Sequence, residues 1–185
     1  VADIDFKNVN IASIVAIFAI ILFLFASISV PVILVLSIEL AIFINMAVPF
    51  YTHTTIPFIA SIVIGTVQLG ATVDYAILLT TRFREELRNG HEKFEAMKIS
   101  VQGSAKSIVT SALAFFASTI GVRIVSNIDM IRVLCGMLAR GALISMLVIL
   151  FVLPSVLLVS EKVIAATSLK WRRPNLGMNL AKERE

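Results

Sequence analysis

Five apolar segments, each long enough to cross a lipid bilayer, constrain this chain more than any other feature. A membrane-spanning helix needs about 20 mostly apolar residues, because the hydrocarbon core is about 30 Å thick. The 185 residues are 58% hydrophobic and 15% charged, which is more apolar surface than a soluble domain of this size could bury. The sequence therefore predicts an all-α membrane protein, with a bundle of five transmembrane helices in residues 1–160 and a basic tail in residues 161–185. The predicted helices are about Val9–Ser27, Val30–Val48, Pro57–Thr81, Ala105–Val125 and Met137–Ser160.

The stretches between these segments predict how the helices connect. The turn between the first two segments is so short that they must form a helical hairpin. The charged connector 82–106 predicts an amphipathic cytoplasmic surface helix that turns Phe94, Met97 and Ile99 toward the bilayer or the bundle. The stretch Ile128–Gly136 predicts a second amphipathic element lying along the membrane interface.

The distribution of positive charge predicts the orientation. Of the 16 Lys and Arg residues, most lie in the 82–106 connector and in the tail. The positive-inside rule therefore places both in the cytoplasm and the N-terminus outside, in agreement with five crossings. The chain begins at Val1 without an initiator Met or a secretory leader, and this predicts that it comes from a longer protein.

Composition excludes several classes of function. Cys135 is the single cysteine, and His53 and His91 fall in separate loops, so we expect no internal disulfide and no metal site. There is no glycine-rich phosphate loop and no nucleophile–histidine pair, which predicts neither a nucleotide cofactor nor an enzyme. The basic residues flank apolar segments, where they report membrane orientation rather than nucleic-acid binding.

Asp74 lies in the middle of the third apolar segment. An ionised, unpaired carboxylate at that depth costs several kcal/mol, so such residues usually relay protons, coordinate ions or pair with cations. Gly70, one turn away, would let a neighbouring helix approach at the level of the carboxylate. Tyr75 can donate a hydrogen bond to a carboxylate on that neighbour, and Gln68 lies on the adjacent face. These residues predict a proton relay of Asp74 and Tyr75 supported by Gln68; the alternative is an inert polar residue hydrogen-bonded within the bundle.

The fourth segment carries a stripe of small residues at helical spacing. Such stripes mark close helix packing, and their hydroxyls can hydrogen-bond a buried carboxyl. We expect packing alone from most of the stripe, and polar support of Asp74 from Ser107, Thr110 and Ser111. The stripe consists of Ser107, Thr110, Ser111, Ala114, Ala117, Ser118 and Gly121.

Glu39 is a second acid, near the centre of the second segment. It could face a groove, a cavity or Arg140, and the residues leave open whether it supports function or forms a structural pair. Arg140 lies close enough to the outer end of its helix to extend its side chain to the interface.

Three stretches resemble a known family. The run from Gln68 reads Gln-Leu-Gly-Ala-Thr-Val-Asp-Tyr-Ala-Ile-Leu-Leu, and it is followed by Arg82-Phe-Arg-Glu-Glu and by Ser107-Ile-Val-Thr-Ser-Ala-Leu. Together they resemble the resistance–nodulation–division (RND) superfamily, and most closely its MMPL branch. The later Leu138-Ala-Arg-Gly-Ala-Leu-Ile-Ser and Val152-Leu-Pro are similar to the last helix of that family.

The resemblance implies more than the residue spacing does. Members have twelve membrane helices in two halves, and each half has one helix, an extracytoplasmic porter domain and five further helices. Their proton relay uses Asp–Tyr pairs on the central helix of each half, a position that Asp74 and Tyr75 occupy here. The five segments then correspond to the block after the C-terminal porter domain. This chain alone would not be a working pump, and its partners would be the other half with the porter domains, protons, the bilayer and an amphipathic substrate.

The predicted function is therefore proton-driven export of lipids or other amphipathic molecules across a bacterial plasma membrane. Two alternatives remain at this stage. One is an accessory subunit of the Sec translocon, in which an arginine-rich connector also follows a buried acid. The other is a sterol-sensing or assembly module that transports nothing.

Overall fold

The computed structural model describes residues 2–51 and 58–167, and all of its regular structure is helical. Five stretches within these residues are long and apolar enough to cross a membrane, which confirms the predicted all-α bundle of five spans. The elements are α1 (Ala2–Phe25), α2 (Ser29–Tyr51), α3 (Phe58–Arg88), α4 (Lys93–Val125), α5 (Asp129–Leu147) and α6 (Leu153–Thr167), with a π-helical turn, Val148–Val152, joining α5 to α6.

α1 and α2 form the predicted hairpin. Ala26 closes the turn with a positive φ of 48°, and its N–H donates to the Leu22 carbonyl at 2.9 Å. Phe25 and Val30, on either side of the turn, are buried in the main core. The hairpin therefore packs its own inner face against the bundle.

The charged connector differs from its prediction, because it is not a separate surface helix. α3 continues unbroken to Arg88 and α4 begins at Lys93, so the connector forms the extended ends of two antiparallel helices. Phe83, Leu87 and Met97 belong to the main core cluster, and this apolar seam keeps the two helices packed beyond the membrane-spanning part. Of the three residues expected to turn inward, Met97 is buried, Ile99 is half-buried and Phe94 is exposed.

Gly90 makes the tight turn between these two helices, with a φ of +94°. We expect Gly90→Ala to lower the free energy of unfolding by about 1 kcal/mol, because a side chain is strained in this backbone region. Thermal unfolding in detergent measures the change. The control is Gly103→Ala on α4, where a methyl group would meet its nearest neighbour, the Arg82 Nη1, at an ordinary 3.8 Å. Equal losses of stability in both variants would contradict the prediction.

The fifth span is one continuous helix with a wide turn. The predicted interfacial stretch 128–136 is not separate, since α5 begins at Asp129 and runs on into the membrane span. Pro154 has no N–H to donate to the carbonyl one α-turn earlier, and the Leu153 N–H instead bonds the Val148 carbonyl, five residues back. The π-helical turn thus lies where proline interrupts the α-helical pattern.

The far end of the chain is helical for longer than expected. α6 reaches Thr167, so residues 161–167 continue the helix instead of starting a tail, and the Thr167 and Ser29 hydroxyls are 2.8 Å apart. The rest of the predicted tail, 168–185, lies outside the described residues, as do Pro57 and His53.

Candidate functional site

A groove between α3 and α4 brings together most of the residues expected to form the proton site. Its volume is about 460 Å³, enough for several water molecules at about 30 Å³ each. Asp74, Tyr75, Ser107 and Ser111 all line it, although the two helices are joined only through the distant turn at Gly90. We call it the α3–α4 groove; its lining is Ala71, Asp74, Tyr75 and Leu78 from α3 with Ser107, Ile108, Ser111 and Phe115 from α4.

Asp74 and Tyr75 have different environments although they are neighbours in sequence. The Tyr75 side chain is buried in the core, with 9% of its surface exposed. The Asp74 side chain is exposed, and no hydrogen-bond partner for its carboxyl lies among the residues that the structure describes. The acid therefore opens onto a face of the bundle that this part of the chain leaves uncovered.

The small-residue stripe of α4 faces the same way. All seven of its members are exposed, whereas α4 packs into the bundle through a neighbouring stripe that includes Ser104, Ile108 and Ala112. Gly70 is exposed in the same way, since a methyl group placed on it would meet nothing within 4 Å among the described residues. The close approach expected at Gly70 is therefore not made by the described helices of this chain.

Thr110 and Gln68 lie away from the carboxyl that they were expected to support. Thr110 does not line the groove; its side chain is exposed and its hydroxyl donates to the Lys106 carbonyl of its own helix at 2.7 Å. Gln68 is 2% exposed and faces α2 and α5. A helical wheel places Gln68 beside Asp74, but only the neighbouring helices determine which face each residue meets.

Gln68 belongs to a buried network that joins α2, α3 and α5. Its amide oxygen accepts from Asn45 Nδ2 at 2.8 Å, and its Nε2 donates to the Ser145 hydroxyl at 3.0 Å. Thr72 donates to the same hydroxyl at 2.9 Å, and Asn45 Nδ2 also donates to the Met137 carbonyl at 3.1 Å. We call these residues the amide network. This network was not predicted from the sequence, although the four-residue spacing of Gln68 and Thr72 on an apolar helix is a signal of it.

Arg140 extends this network and does not reach freely to the interface as predicted. Its Nε donates to Asn45 Oδ1 at 2.9 Å and its Nη2 donates to the Asn45 carbonyl at 3.1 Å. The reason is that the amide oxygen of Asn45 lies inside the bundle within hydrogen-bond distance of the Arg140 guanidinium. Glu39 accordingly does not face Arg140.

Glu39 lines a separate, mostly apolar cleft of about 310 Å³ between α1, α2 and α3. Asn10, Ser61 and Thr66 supply the polar part of its wall. One carboxylate oxygen of Glu39, Oε1, is buried without a hydrogen-bond partner among the described residues. Of the three environments left open for Glu39, which were a groove, a cavity and Arg140, the structure shows a groove: this cleft, which is separate from the α3–α4 groove that holds Asp74.

The bundle and the groove define a class: a multi-pass helical membrane protein with an acid on a polar face at membrane depth. More narrowly, the chain belongs to the MMPL family, whose model matches residues 1–176. This is the family that the Asp74–Tyr75 region resembles.

Several curated proteins are similar to parts of the chain. A putative membrane protein of Streptomyces coelicolor, ActII-3, is 31% identical over 54% of this chain and 14% of its own length. A second from that organism, SCO0839, is 28% identical over 78% of the chain and 21% of its own length. The trehalose monomycolate exporter MmpL3 of Mycolicibacterium smegmatis is 33% identical over 36% of the chain and 7% of its own length. The chain thus spans about a fifth or less of these relatives, and no solved structure matches it.

Proposed function

We propose that the chain is a membrane-embedded part of a proton-driven exporter of lipids or other amphipathic molecules, with Asp74 as the proton-carrying group. One observation carries the proposal: at membrane depth, the α3–α4 groove places this acid beside Tyr75 and the hydroxyls of Ser107 and Ser111. Membership of the MMPL family and the likeness to a relative named as a trehalose monomycolate exporter support it.

The uncovered face suggests how the site is completed. A carboxylate that met hydrocarbon there would be costly, so helices from the remaining half of the transporter would cover Asp74 and the small stripe. The ionised carboxyl needs hydrogen-bond donors, such as the Ser107 and Ser111 hydroxyls, while the protonated carboxyl can itself donate to an acceptor on the partner. Proton uptake and release would therefore change which groups the two halves share, and the helices would repack.

The alternatives have less support. Neither a translocon accessory subunit nor a sterol-sensing module is favoured by a described contact, while the family match and the relative named as an exporter favour export. The orientation rests on the positive-inside rule, which would place the turn at Gly90 in the cytoplasm and the N-terminus outside a bacterial plasma membrane.

The experiment removes the gene for the full-length protein and compares the lipids of the outer cell surface by mass spectrometry. We expect one amphipathic class to disappear from the surface, accumulate inside, and return on complementation. Collapsing the proton gradient with an uncoupler, while ATP is maintained by fermentation, should stop its appearance. Unchanged surface lipids in the deletion strain, or export that continues without a proton gradient, would contradict the proposal.

A further inference from the structure

Two arginines lie on one face of α5 within its first turns, and an arginine of α4 reaches the same face. Arg132, Gly136 and Arg140 follow one another at four-residue spacing, so they lie one above the other on the helix. Arg123, near the end of α4, extends across to this face, and its guanidinium fills the space that a side chain on Gly136 would occupy. We call Arg132, Arg123 and Arg140 the basic column: Arg132 and Arg140 lie one four-residue step, ~6 Å along the helix axis, before and after Gly136, and the Arg123 guanidinium lies beside Gly136 itself.

The charges of the basic column are poorly balanced within the chain. Arg132 has a loose partner in Asp129, with 3.7 Å between Nη1 and Oδ1, and both side chains are exposed. Among the residues that the structure describes, neither Arg123 nor Arg140 has an ion-pair partner. The hydrogen bonds of Arg140 go to the neutral amide and carbonyl of Asn45. Like charges at this spacing repel one another, so an anion placed between them would be attracted by both.

The surroundings of the basic column suit an anion that carries hydrocarbon. The turn between α4 and α5 exposes aliphatic side chains beside it: Ile124 is 76% exposed, Val125 79% and Ile128 59%. Guanidinium groups match phosphate oxygens in geometry and remain charged in a partly apolar site. A soluble anion would use only the arginines, whereas a phospholipid would also cover the aliphatic surface.

We propose that the basic column binds the phosphodiester headgroup of an anionic phospholipid, whose acyl chains lie against the exposed turn between α4 and α5. The site is at the opposite end of the bundle from the turn at Gly90 and apart from the α3–α4 groove. It does not depend on the chain's being an exporter.

The test uses the full-length protein, purified in detergent and titrated with phosphatidylglycerol or phosphatidylcholine in mixed micelles. Native mass spectrometry counts the bound lipid, and the thermal unfolding midpoint reports its effect on the fold. We expect wild-type protein to retain phosphatidylglycerol about tenfold more strongly than phosphatidylcholine, a preference that corresponds to about 1.4 kcal/mol of binding free energy.

Two variants test whether the lipid preference comes from the basic column or from the net charge of the protein. Arg123→Gln removes the guanidinium that lies beside Gly136 without touching the amide network, and it should lose most of the preference. Gly136→Leu keeps every charge but displaces the Arg123 guanidinium, and it should weaken the preference as well. The matched control is Lys98→Gln, an exposed cation nearer the other end of α4, which should behave as wild type.

Three results would overturn the proposal. The first is an equal loss in Arg123→Gln and Lys98→Gln, since that would mean attraction by net charge alone. The second is stabilisation by inorganic phosphate equal to that by phosphatidylglycerol, since that would identify a soluble anion. The third is an absence of any lipid preference in the wild type, as expected if an acidic side chain elsewhere in the full-length protein already neutralises the arginines.

Discussion

Replacing Asp74 with asparagine should abolish export by the full-length protein while leaving it inserted and folded. Asparagine keeps the size of the side chain and much of its hydrogen bonding, but it cannot take up or release a proton. We expect transport to fall by at least about 100-fold, the loss typical of removing a group that transfers protons in the essential step. The measurement is the surface content of the exported lipid in a deletion strain that carries the variant. The amount of protein in the membrane fraction and its size-exclusion profile report folding.

The matched control for this experiment is Asp129→Asn. It makes the same chemical change at an acid that is 95% exposed in its side chain, at the start of α5 and away from the α3–α4 groove. That variant should export as wild type does. Wild-type export by Asp74→Asn would remove Asp74 from the mechanism, and it would leave a structural or sensing role for the chain.

A methyl group at Gly141 should disrupt the contact between α2, α3 and α5. It would lie 2.6 Å from Gln68 Oε1 and 2.7 Å from Asn45 Nδ2, well inside van der Waals contact. Overpacking of this kind costs about 1–3 kcal/mol, and lost hydrogen bonds in a membrane add about 0.6 kcal/mol each. The better helix propensity of alanine returns about 0.5–1 kcal/mol. We therefore expect Gly141→Ala to lower the free energy of unfolding by about 2 kcal/mol, measured by thermal or denaturant unfolding in detergent.

Two further variants test the cause of that loss. Gly103→Ala on α4, outside the small stripe, places a methyl group whose nearest neighbour among the described residues, Arg82 Nη1, is at an ordinary 3.8 Å, so it should keep or slightly raise stability. In a Gln68→Ala background, part of the clash is already gone, and Gly141→Ala should cost less than it does in the wild type. Additive effects of the two changes would show that the amide network is not the source of the instability.

Most residues of the α3–α4 groove that were predicted from the sequence could be found from their spacing within a single helix. Asp74 and Tyr75 are adjacent, and an acid in an apolar run is conspicuous. Ser107 and Ser111 are four residues apart, so helical periodicity alone placed them on one face. The stripe of small residues then indicated close packing by the fourth helix, with hydroxyls able to hydrogen-bond the buried carboxyl.

For Gln68 and Arg140, the position on the helix did not predict the hydrogen-bond partner. Both were assigned by their position on their own helix, Gln68 as a support for Asp74 and Arg140 as a side chain reaching the interface. Their hydrogen bonds instead cross to Asn45 of α2, which lies 23 residues before Gln68 and 95 residues before Arg140. The sequence contains several possible hydrogen-bond partners for each of these side chains. Which partner is used depends on which neighbouring helix packs against the face that carries the side chain.

The sequence by itself determined that this chain is a membrane protein with five helical spans, because apolar runs of that length are stable only in lipid and backbone groups there must be satisfied within helices. It also marked Asp74, because charge in such a run is costly. Only the tertiary structure decided that α3 and α4 continue as one packed pair through the charged connector, that the small stripe of α4 faces outward, and that Asn45 and Gln68 join three helices. These outcomes depend on the relative rotation of the helices about their axes, which is set by side-chain packing between segments distant in sequence, and periodicity within one helix carries no record of it.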